Sequence, residues 1–119
     1  MSEIEISDLI ASLTQELRRG TIIVGVLSQL SKPQYGYSLV SILEEKGLQI
    51  EPNTLYPLLR RLEKQKLLKS VWDTKESRPR KYYILSKTGN EVFAKLCVEW
   101  RNMADSLDKL LDEHEKNRA

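Results

Sequence analysis

Apolar residues recur at helical spacing over the N-terminal part of the chain. The stripe consists of Ile6, Leu9, Ile10, Leu13 and Leu17, and it continues in the same phase to Val24 and Leu27. Ser7 and Asp8 can cap the start of a helix, and Pro33 cannot continue one. The pattern predicts one long helix from about Ser7 to Leu30, with a break at Gly20 as the alternative. Its amphipathic first half has no place inside so small a core, so we expect it to pack on a second subunit.

The middle of the chain has the spacing of a helix–turn–helix. A short helix is predicted from about Tyr37 to Lys46, with Gly47 placed to cap its C-terminus. Its buried residues are expected to be Leu39, Ile42 and Leu43. After a short linker, Pro52 suits the first position of a second helix that runs to about Gln65. Two short helices joined by a tight connection are typical of this motif.

A hairpin and a final helix are predicted next. Strand signals from Leu68 to Trp72 and from Lys81 to Leu85 flank a turn-rich segment. Ser86 can cap a helix that continues to about His114. The apolar spacing in this helix alternates between four and three residues, as in a coiled coil, at Leu96, Trp100, Met103, Leu107 and Leu110. A chain of 119 residues cannot cover such a seam itself, which implies a partner.

The second helix of the predicted motif has two chemically different faces. A stripe suited to burial consists of Leu55, Leu58, Leu59 and Leu62. The opposite face consists of Asn53, Tyr56, Pro57, Arg60 and Lys64, flanked by Thr54 and Arg61. Amides, phenols and cations are the groups that bind phosphates and base edges. If the leucines dock on the core, the outer face is free to enter a B-DNA major groove.

Pro57 conflicts with its place in this helix. A proline inside a helix costs about 3 kcal/mol, because it lacks an N–H and crowds the preceding turn. Two interpretations stay open. Either a functional site accepts the conflict, or the residue lies close enough to the helix start to be tolerated.

Positive charge is concentrated in one segment. The whole chain has a net charge of +2, but residues 60–81 hold nine basic and three acidic side chains, a net charge of +6. Such a segment favours a polyanionic partner, although a solvated basic face would have the same composition. Arg78, Arg80 and Lys81 stand at the hairpin tip and could reach a phosphate backbone. The alternative is a hairpin that its charge keeps soluble.

The remaining composition argues against other classes of protein. With one histidine, His114, and one cysteine, Cys97, the chain is poor in residues for catalysis, so we expect no catalytic site, no metal site and no internal disulfide. Its glycines never cluster into a phosphate loop, so no cofactor is expected. No apolar run is long enough to span a membrane, and the acidic N-terminus lacks the order of a signal peptide. We therefore expect a cytoplasmic protein that is not an enzyme.

Four segments resemble the PadR family of bacterial transcriptional regulators. They are Leu17–Thr21, Tyr35–Tyr37, Asn53–Glu63 and Arg78–Gly89. The resemblance implies a winged helix–turn–helix followed by a dimerising C-terminal helix, and repression through a palindromic operator that a small molecule often relieves. The family's DNA contacts carry over to Tyr37, Asn53, Thr54, Tyr56 and Arg60, and to the wing residues Arg78, Arg80 and Lys81.

The short C-terminus is similar to a small subgroup that includes multidrug-binding repressors. In that subgroup a tryptophan from each subunit lines a pocket at the dimer interface, and Trp100 stands at the matching place. This chain departs from the pattern at Cys97 and Ala104, where the subgroup has an aromatic and an acidic residue. The resemblance still implies a ligand site at Trp100, Cys97 and Ala104. Packing between subunits is the simpler role of Trp100.

The sequence predicts a mainly α protein with a small β-hairpin: a winged helix–turn–helix in residues 1–86 and a dimerisation helix in residues 87–119. The predicted function is a DNA-binding regulator that represses as a homodimer, with a planar aromatic effector as a further partner. The DNA-binding residues would be Tyr37, Asn53, Thr54, Tyr56, Pro57, Arg60, Arg61, Lys64, Arg78, Arg80 and Lys81. The dimer interface would comprise Leu9, Leu13, Leu96, Trp100, Met103, Leu107 and Leu110. The alternative is a winged-helix module that binds proteins and not DNA.

Overall fold

The computed structural model describes residues 1–118, which form four helices and one small sheet. The elements are α1 (Glu3–Ser28), β1 (Gln34–Tyr35), α2 (Gly36–Glu45), α3 (Pro52–Lys64), β2 (Leu68–Asp73), β3 (Arg80–Leu85) and α4 (Lys87–Arg118). Helices α2 and α3 form the helix–turn–helix, and the β2–β3 hairpin is the wing. The fold class predicted from the sequence is confirmed.

Helix α1 is continuous through Gly20 and begins earlier than predicted. Ser2, and not Ser7 or Asp8, is its cap, because the Ser2 hydroxyl accepts a hydrogen bond of 3.2 Å from the Glu5 N–H. Ser2 and Glu5 have the spacing of a capping box, and the acidic first turn complements the helix dipole. The helix ends at Ser28, before the predicted Leu30, because tighter hydrogen bonds of the i to i+3 type close its last turn.

The sheet has three strands, one more than the predicted hairpin. It is antiparallel with the order β1-β3-β2, and β1 pairs Gln34 with Tyr83 and Tyr35 with Tyr82. A strand of two residues is too short to show an alternating pattern, so β1 was not predictable from the sequence. The hairpin itself pairs Leu68 with Leu85 and Asp73 with Arg80, which extends both predicted strands by one residue at the tip.

Two helices end in the same hydrogen-bonded turn with different residues at its critical position. After α2, Gly47 has a φ of 91°, and the Leu48 N–H donates to the Leu43 carbonyl at 2.8 Å. After α3, Lys66 has a φ of 66°, and the Leu67 N–H donates to the Leu62 carbonyl at 3.0 Å. Both turns are Schellman motifs, which place one residue in the left-handed region that glycine tolerates best.

The core lies where α1, α2, α3 and the sheet meet. Its buried hydrophobic residues are Val26, Leu27, Leu30, Leu39, Leu43, Ile50, Leu55, Leu58, Leu59, Leu62, Leu68, Tyr83 and Leu85. The leucine stripe of α3 is buried as predicted. In α2, Leu39 and Leu43 are buried, but Ile42 is only half-buried, so the prediction of three buried residues there was wrong for one of them.

Ser86 joins the wing to α4. Its hydroxyl accepts a hydrogen bond from the Gly89 N–H at 2.9 Å and donates one to the Lys66 carbonyl at 2.7 Å. A Cβ atom on Gly89 would lie 2.0 Å from the Leu67 carbonyl oxygen. Only glycine therefore allows the first turn of α4 to pack so closely on the backbone at Leu67. The helix then continues to Arg118, one turn beyond the predicted end at His114.

The outer parts of α1 and α4 project beyond the core. The radius of gyration is 18.0 Å, against about 13.5 Å for a compact chain of this length. The exposed apolar residues of α1 are Ile4, Ile6, Leu9, Ile10, Leu13 and Leu17, and those of α4 are Val98, Trp100, Met103, Leu107, Leu110 and Leu111. Within residues 1–118, no helix has the length and the apolar run that a bilayer crossing requires.

The two Schellman turns predict opposite effects of exchanging glycine. Gly47→Ala should lower the free energy of unfolding by about 1 kcal/mol, and Lys66→Gly should raise it by about 0.5–1 kcal/mol, because a side chain in the left-handed region is strained. Urea unfolding at one fixed protein concentration measures both. Lys66→Ala, which keeps a Cβ atom, should show no gain. A gain equal to that of Lys66→Gly would contradict the role of backbone strain.

Candidate nucleic-acid interface

The outward face of α3 carries the residues predicted to meet DNA. All of them are exposed: Asn53, Thr54, Tyr56, Pro57, Arg60, Arg61 and Lys64. Burial of the leucine stripe fixes the rotation of α3, because a helix has only one orientation that hides four leucines at this spacing. The amide, hydroxyl and guanidinium groups therefore point away from the core, ready to accept and donate hydrogen bonds.

The Tyr56 side chain is only 37% exposed. Its ring lies against Gly36, where an added Cβ atom would come within 2.5 Å of the Tyr56 ring. Glycine at the start of α2 thus lets the ring lie directly on the backbone. The next residue, Tyr37, is 76% exposed. The Tyr35–Tyr37 segment therefore exposes the Tyr37 phenol, and its glycine makes room for the Tyr56 ring of α3.

Helix α3 passes through Pro57 without a break. A proline has no N–H, so it cannot bond to the Asn53 carbonyl one turn earlier. Pro57 and Asn53 both lie on the exposed face, where water can bond to that carbonyl. The exposed position keeps the cost of the missing hydrogen bond low. This agrees both with a functional role of Pro57 and with simple tolerance of a proline near the helix start.

The three wing cations that were predicted to contact DNA stand in different surroundings. Arg78 is exposed in the loop between the strands and forms no ion pair with any residue from 1 to 118. Arg80 lies 3.7 Å from the Glu76 carboxylate, and its guanidinium sits 5.1 Å from the centre of the Tyr35 ring. The Tyr35 side chain, followed by the charge of Glu76, raises the pKa of Arg80 above its ordinary value. Of these two arginines, Arg78 is the less constrained.

Lys81 is held by Glu63, a residue of α3 that the sequence did not single out. The Lys81 ammonium lies 3.0 Å from one carboxylate oxygen of Glu63, and the Ser70 hydroxyl donates to the other. The Ser70 hydrogen bond, aided by Lys81, holds the pKa of Glu63 below its usual range, and Glu63 raises the pKa of Lys81. We call this trio the Glu63 clamp. It ties α3 to both strands of the wing across a half-exposed surface.

A groove separates the wing from the N-terminal half of α3. Its volume is about 470 Å³, and Tyr37, Tyr56, Trp72, Arg78, Arg80 and Lys81 are among its lining residues. The aromatic side chains offer apolar surface and the basic side chains attract negative charge, so the groove suits an extended anion with apolar parts. Trp72 is a lining residue that sequence reasoning placed only in a strand, because its exposure depends on which face of the sheet it occupies.

The residues predicted for the dimer interface do not share one environment. Leu9, Leu13, Trp100, Met103, Leu107 and Leu110 are exposed. Leu96 is half-buried and packs on the core of its own subunit, so it has less surface to offer a partner. Cys97 and Ala104, predicted with Trp100 for a ligand, are half-buried on α4. Within residues 1–118, no group of three His, Cys, Asp or Glu side chains could hold a metal ion.

Comparison with known proteins identifies the family. Residues 23–95 match the transcriptional regulator PadR-like family. The chain is similar to a PadR family transcriptional regulator from Eggerthella lenta DSM 2243, with 48% identity, a TM-score of 0.87, and coverage of 91% of this chain and 96% of that one.

More distant relatives agree with this match. A PadR-like transcriptional regulator from Bacillus cereus strain ATCC 14579 is 26% identical, with a TM-score of 0.73 and coverage of 81% of this chain and 96% of that one. An uncharacterized protein of Lysinibacillus sphaericus is 29% identical over 87 residues, which is 70% of this chain and 80% of that protein. The matched segment contains the helix–turn–helix, the wing and the start of α4. This chain belongs to the PadR-like family of transcriptional regulators.

Proposed function

We propose that the protein is a homodimeric repressor that binds operator DNA with α3 in the major groove and the wing beside it. The observation that carries this proposal is the two-sided character of α3, whose leucines are buried while its polar face is exposed. The outer face carries base-reading and phosphate-binding groups, which are Asn53, Thr54, Tyr56, Arg60, Arg61 and Lys64, with Pro57 among them. Tyr37 stands beside them as a phosphate contact.

The exposed apolar surfaces of α1 and α4 support the proposed dimer. A helix without a packed apolar face is marginal in water, yet the first half of α1 and the outer half of α4 touch no core of their own. A second copy would cover Leu9, Leu13, Trp100, Met103, Leu107 and Leu110 with equivalent residues, as two-fold symmetry requires. Two copies of α3 would then meet successive major grooves, about 10 bp apart.

The domain division and the effector belong to the same proposal. Residues 1–86 would read DNA and residues 87–119 would dimerise, although the first turns of α4 also pack on the shared core through Phe93 and Leu96. A planar aromatic effector would lie between subunits against Trp100, Cys97 and Ala104. Repression of transcription would place the protein in the cytoplasm, where bacterial DNA is accessible.

The wing cations should differ in their contribution to binding. Arg78 is unpaired, whereas Lys81 is already neutralised by Glu63. We expect Arg78→Met to reduce the steepness of log K against log salt by about 0.9 for each subunit, and Lys81→Met to reduce it by less. Fluorescence anisotropy of labelled duplex across a salt series measures both slopes. Equal reductions would mean that Lys81 leaves Glu63 for a phosphate.

The first test of function is a mobility shift with DNA from upstream of the protein's own gene. At 150 mM salt we expect tighter binding to this duplex than to a scrambled one. Arg60→Ala should cost about 1–3 kcal/mol, because Arg60 faces the groove. Lys109→Ala removes the same charge from α4 and should leave binding unchanged. Equal affinity for both duplexes would favour the alternative of a protein-binding winged helix.

The dimer is tested by its own variant. Leu107→Asp places a charge in the exposed apolar row of α4, and we expect it to convert the dimer to a monomer in sedimentation equilibrium at micromolar concentration. Lys109→Asp changes the charge by more, but it lies on the opposite side of the helix, two residues away, and should leave the dimer intact. An unmodified protein that sediments as a monomer would contradict the proposal.

A further inference from the structure

The wing carries a large exposed side chain that the function above does not use. Trp72 is 59% exposed on β2, and it stands opposite Lys81 of β3. The Lys81 ammonium lies 6.0 Å from the centre of the Trp72 ring. Indoles combine a rigid apolar surface with one N–H donor, which makes them effective contact residues when they are exposed beside charge.

The pleat of the sheet decides which way Trp72 faces. Alternate residues of a strand share a face, so Trp72 shares a face with Ser70. Ser70 donates to Glu63 of α3, and Lys81, opposite Trp72, bonds to the same carboxylate. Trp72 therefore lies on the side of the wing that faces α3, and it lines the groove between them together with Tyr56 and Arg78.

The chemistry of this groove selects among ligands. Arg78 and Arg80 attract an anion, while the Trp72 and Tyr56 rings offer apolar surface. A DNA strand supplies both parts, because each phosphate is followed by a deoxyribose with an apolar face. Paired bases in a duplex are already stacked on each other, so the ring would meet a sugar and not a base.

We propose that Trp72 is a DNA-contacting residue, whose indole packs on the deoxyribose–phosphate backbone that runs between α3 and the wing. The inference rests on the proposed function and adds to it a contact that is apolar and independent of base sequence. Because the contact carries no charge, its removal weakens binding at every salt concentration by the same factor and leaves the salt slope unchanged.

The chain provides a matched control at the neighbouring residue. Val71 is also 59% exposed on β2, but it faces the other side of the sheet, opposite Tyr82. Val71→Ala and Trp72→Ala both shorten an exposed side chain on the same strand. A general effect of the wing's stability on binding would therefore appear in both variants, whereas a DNA contact appears in one.

The affinity experiment uses the full chain and labelled duplex from upstream of its own gene. Across a salt series, Trp72→Ala should weaken binding about tenfold with a parallel slope, Trp72→Phe by less, and Val71→Ala not at all. Melting temperatures of the free proteins should stay within a few degrees of each other, since both side chains are exposed.

A second readout observes Trp72 directly. The protein has two tryptophans, so the emission difference between the intact chain and Trp72→Phe isolates Trp72 and leaves Trp100 in place. Iodide should quench this component in the free protein and much less in the complex, at ionic strength matched with chloride.

The outcomes separate the two proposals. If the intact protein does not bind the duplex, the proposed function fails and this inference fails with it. If the intact protein binds but Trp72→Ala binds equally well, or iodide reaches Trp72 equally in the complex, only this inference is overturned. An equal loss in Val71→Ala overturns it too, because the wing's conformation would then explain both.

Discussion

Burial of the α3 leucine stripe is the interaction on which the rest of the structure depends. Leu55, Leu59 and Leu62 are almost completely removed from water, so each contributes about 1.5–3 kcal/mol and all three favour one rotation of the helix. Turning α3 by one residue would bring guanidinium groups into the core, which costs far more than a leucine gains. The same packing that stabilises the subunit therefore holds Tyr56 and Arg60 outward. In this helix, stability and the exposed polar face have a single cause.

The sequence predicted the helices well because helical periodicity is strong over ten or more residues, and it failed where the signal was short or competed with another. The two-residue β1 has no period to read, and its pairing with Tyr82 and Tyr83 is set by tertiary contact. The apolar pattern places the start of α1 near Ser7, although Ser2 and Glu5 have the spacing of a capping box. Ile42 fits the apolar period of α2 but stands at the edge of its stripe, where the core does not reach.

The residue types of the candidate site were predictable from the sequence, but the contacts between their side chains were not. Counting cations between residues 60 and 81 locates the basic segment, yet Lys81 and Glu63 are 18 residues apart, and only the folded chain brings them together. The clamp reduces the charge that the wing presents and links both of its strands to α3. Trp72 was hidden for a related reason: a tryptophan in a strand suggests packing, and the register of the hairpin is needed to see that it faces the groove. The sequence shows which residue types are present, whereas only the folded structure shows which residues lie next to each other.

The wing and α4 are connected directly, which bears on how movements of α4 in the proposed dimer would reach the DNA-binding surface. The last residue of β3 is Leu85, Ser86 follows, and α4 begins at Lys87, so no flexible linker intervenes. Ser86 is buried and bonded to Lys66 and Gly89, and the contact of Gly89 with the Leu67 carbonyl leaves no room for sliding. In the proposed dimer, the start of α4 is therefore coupled to the wing and also to the end of α3. The Glu63 clamp joins α3 to the wing further along the hairpin, so a wing displaced relative to α3 would break the ion pair.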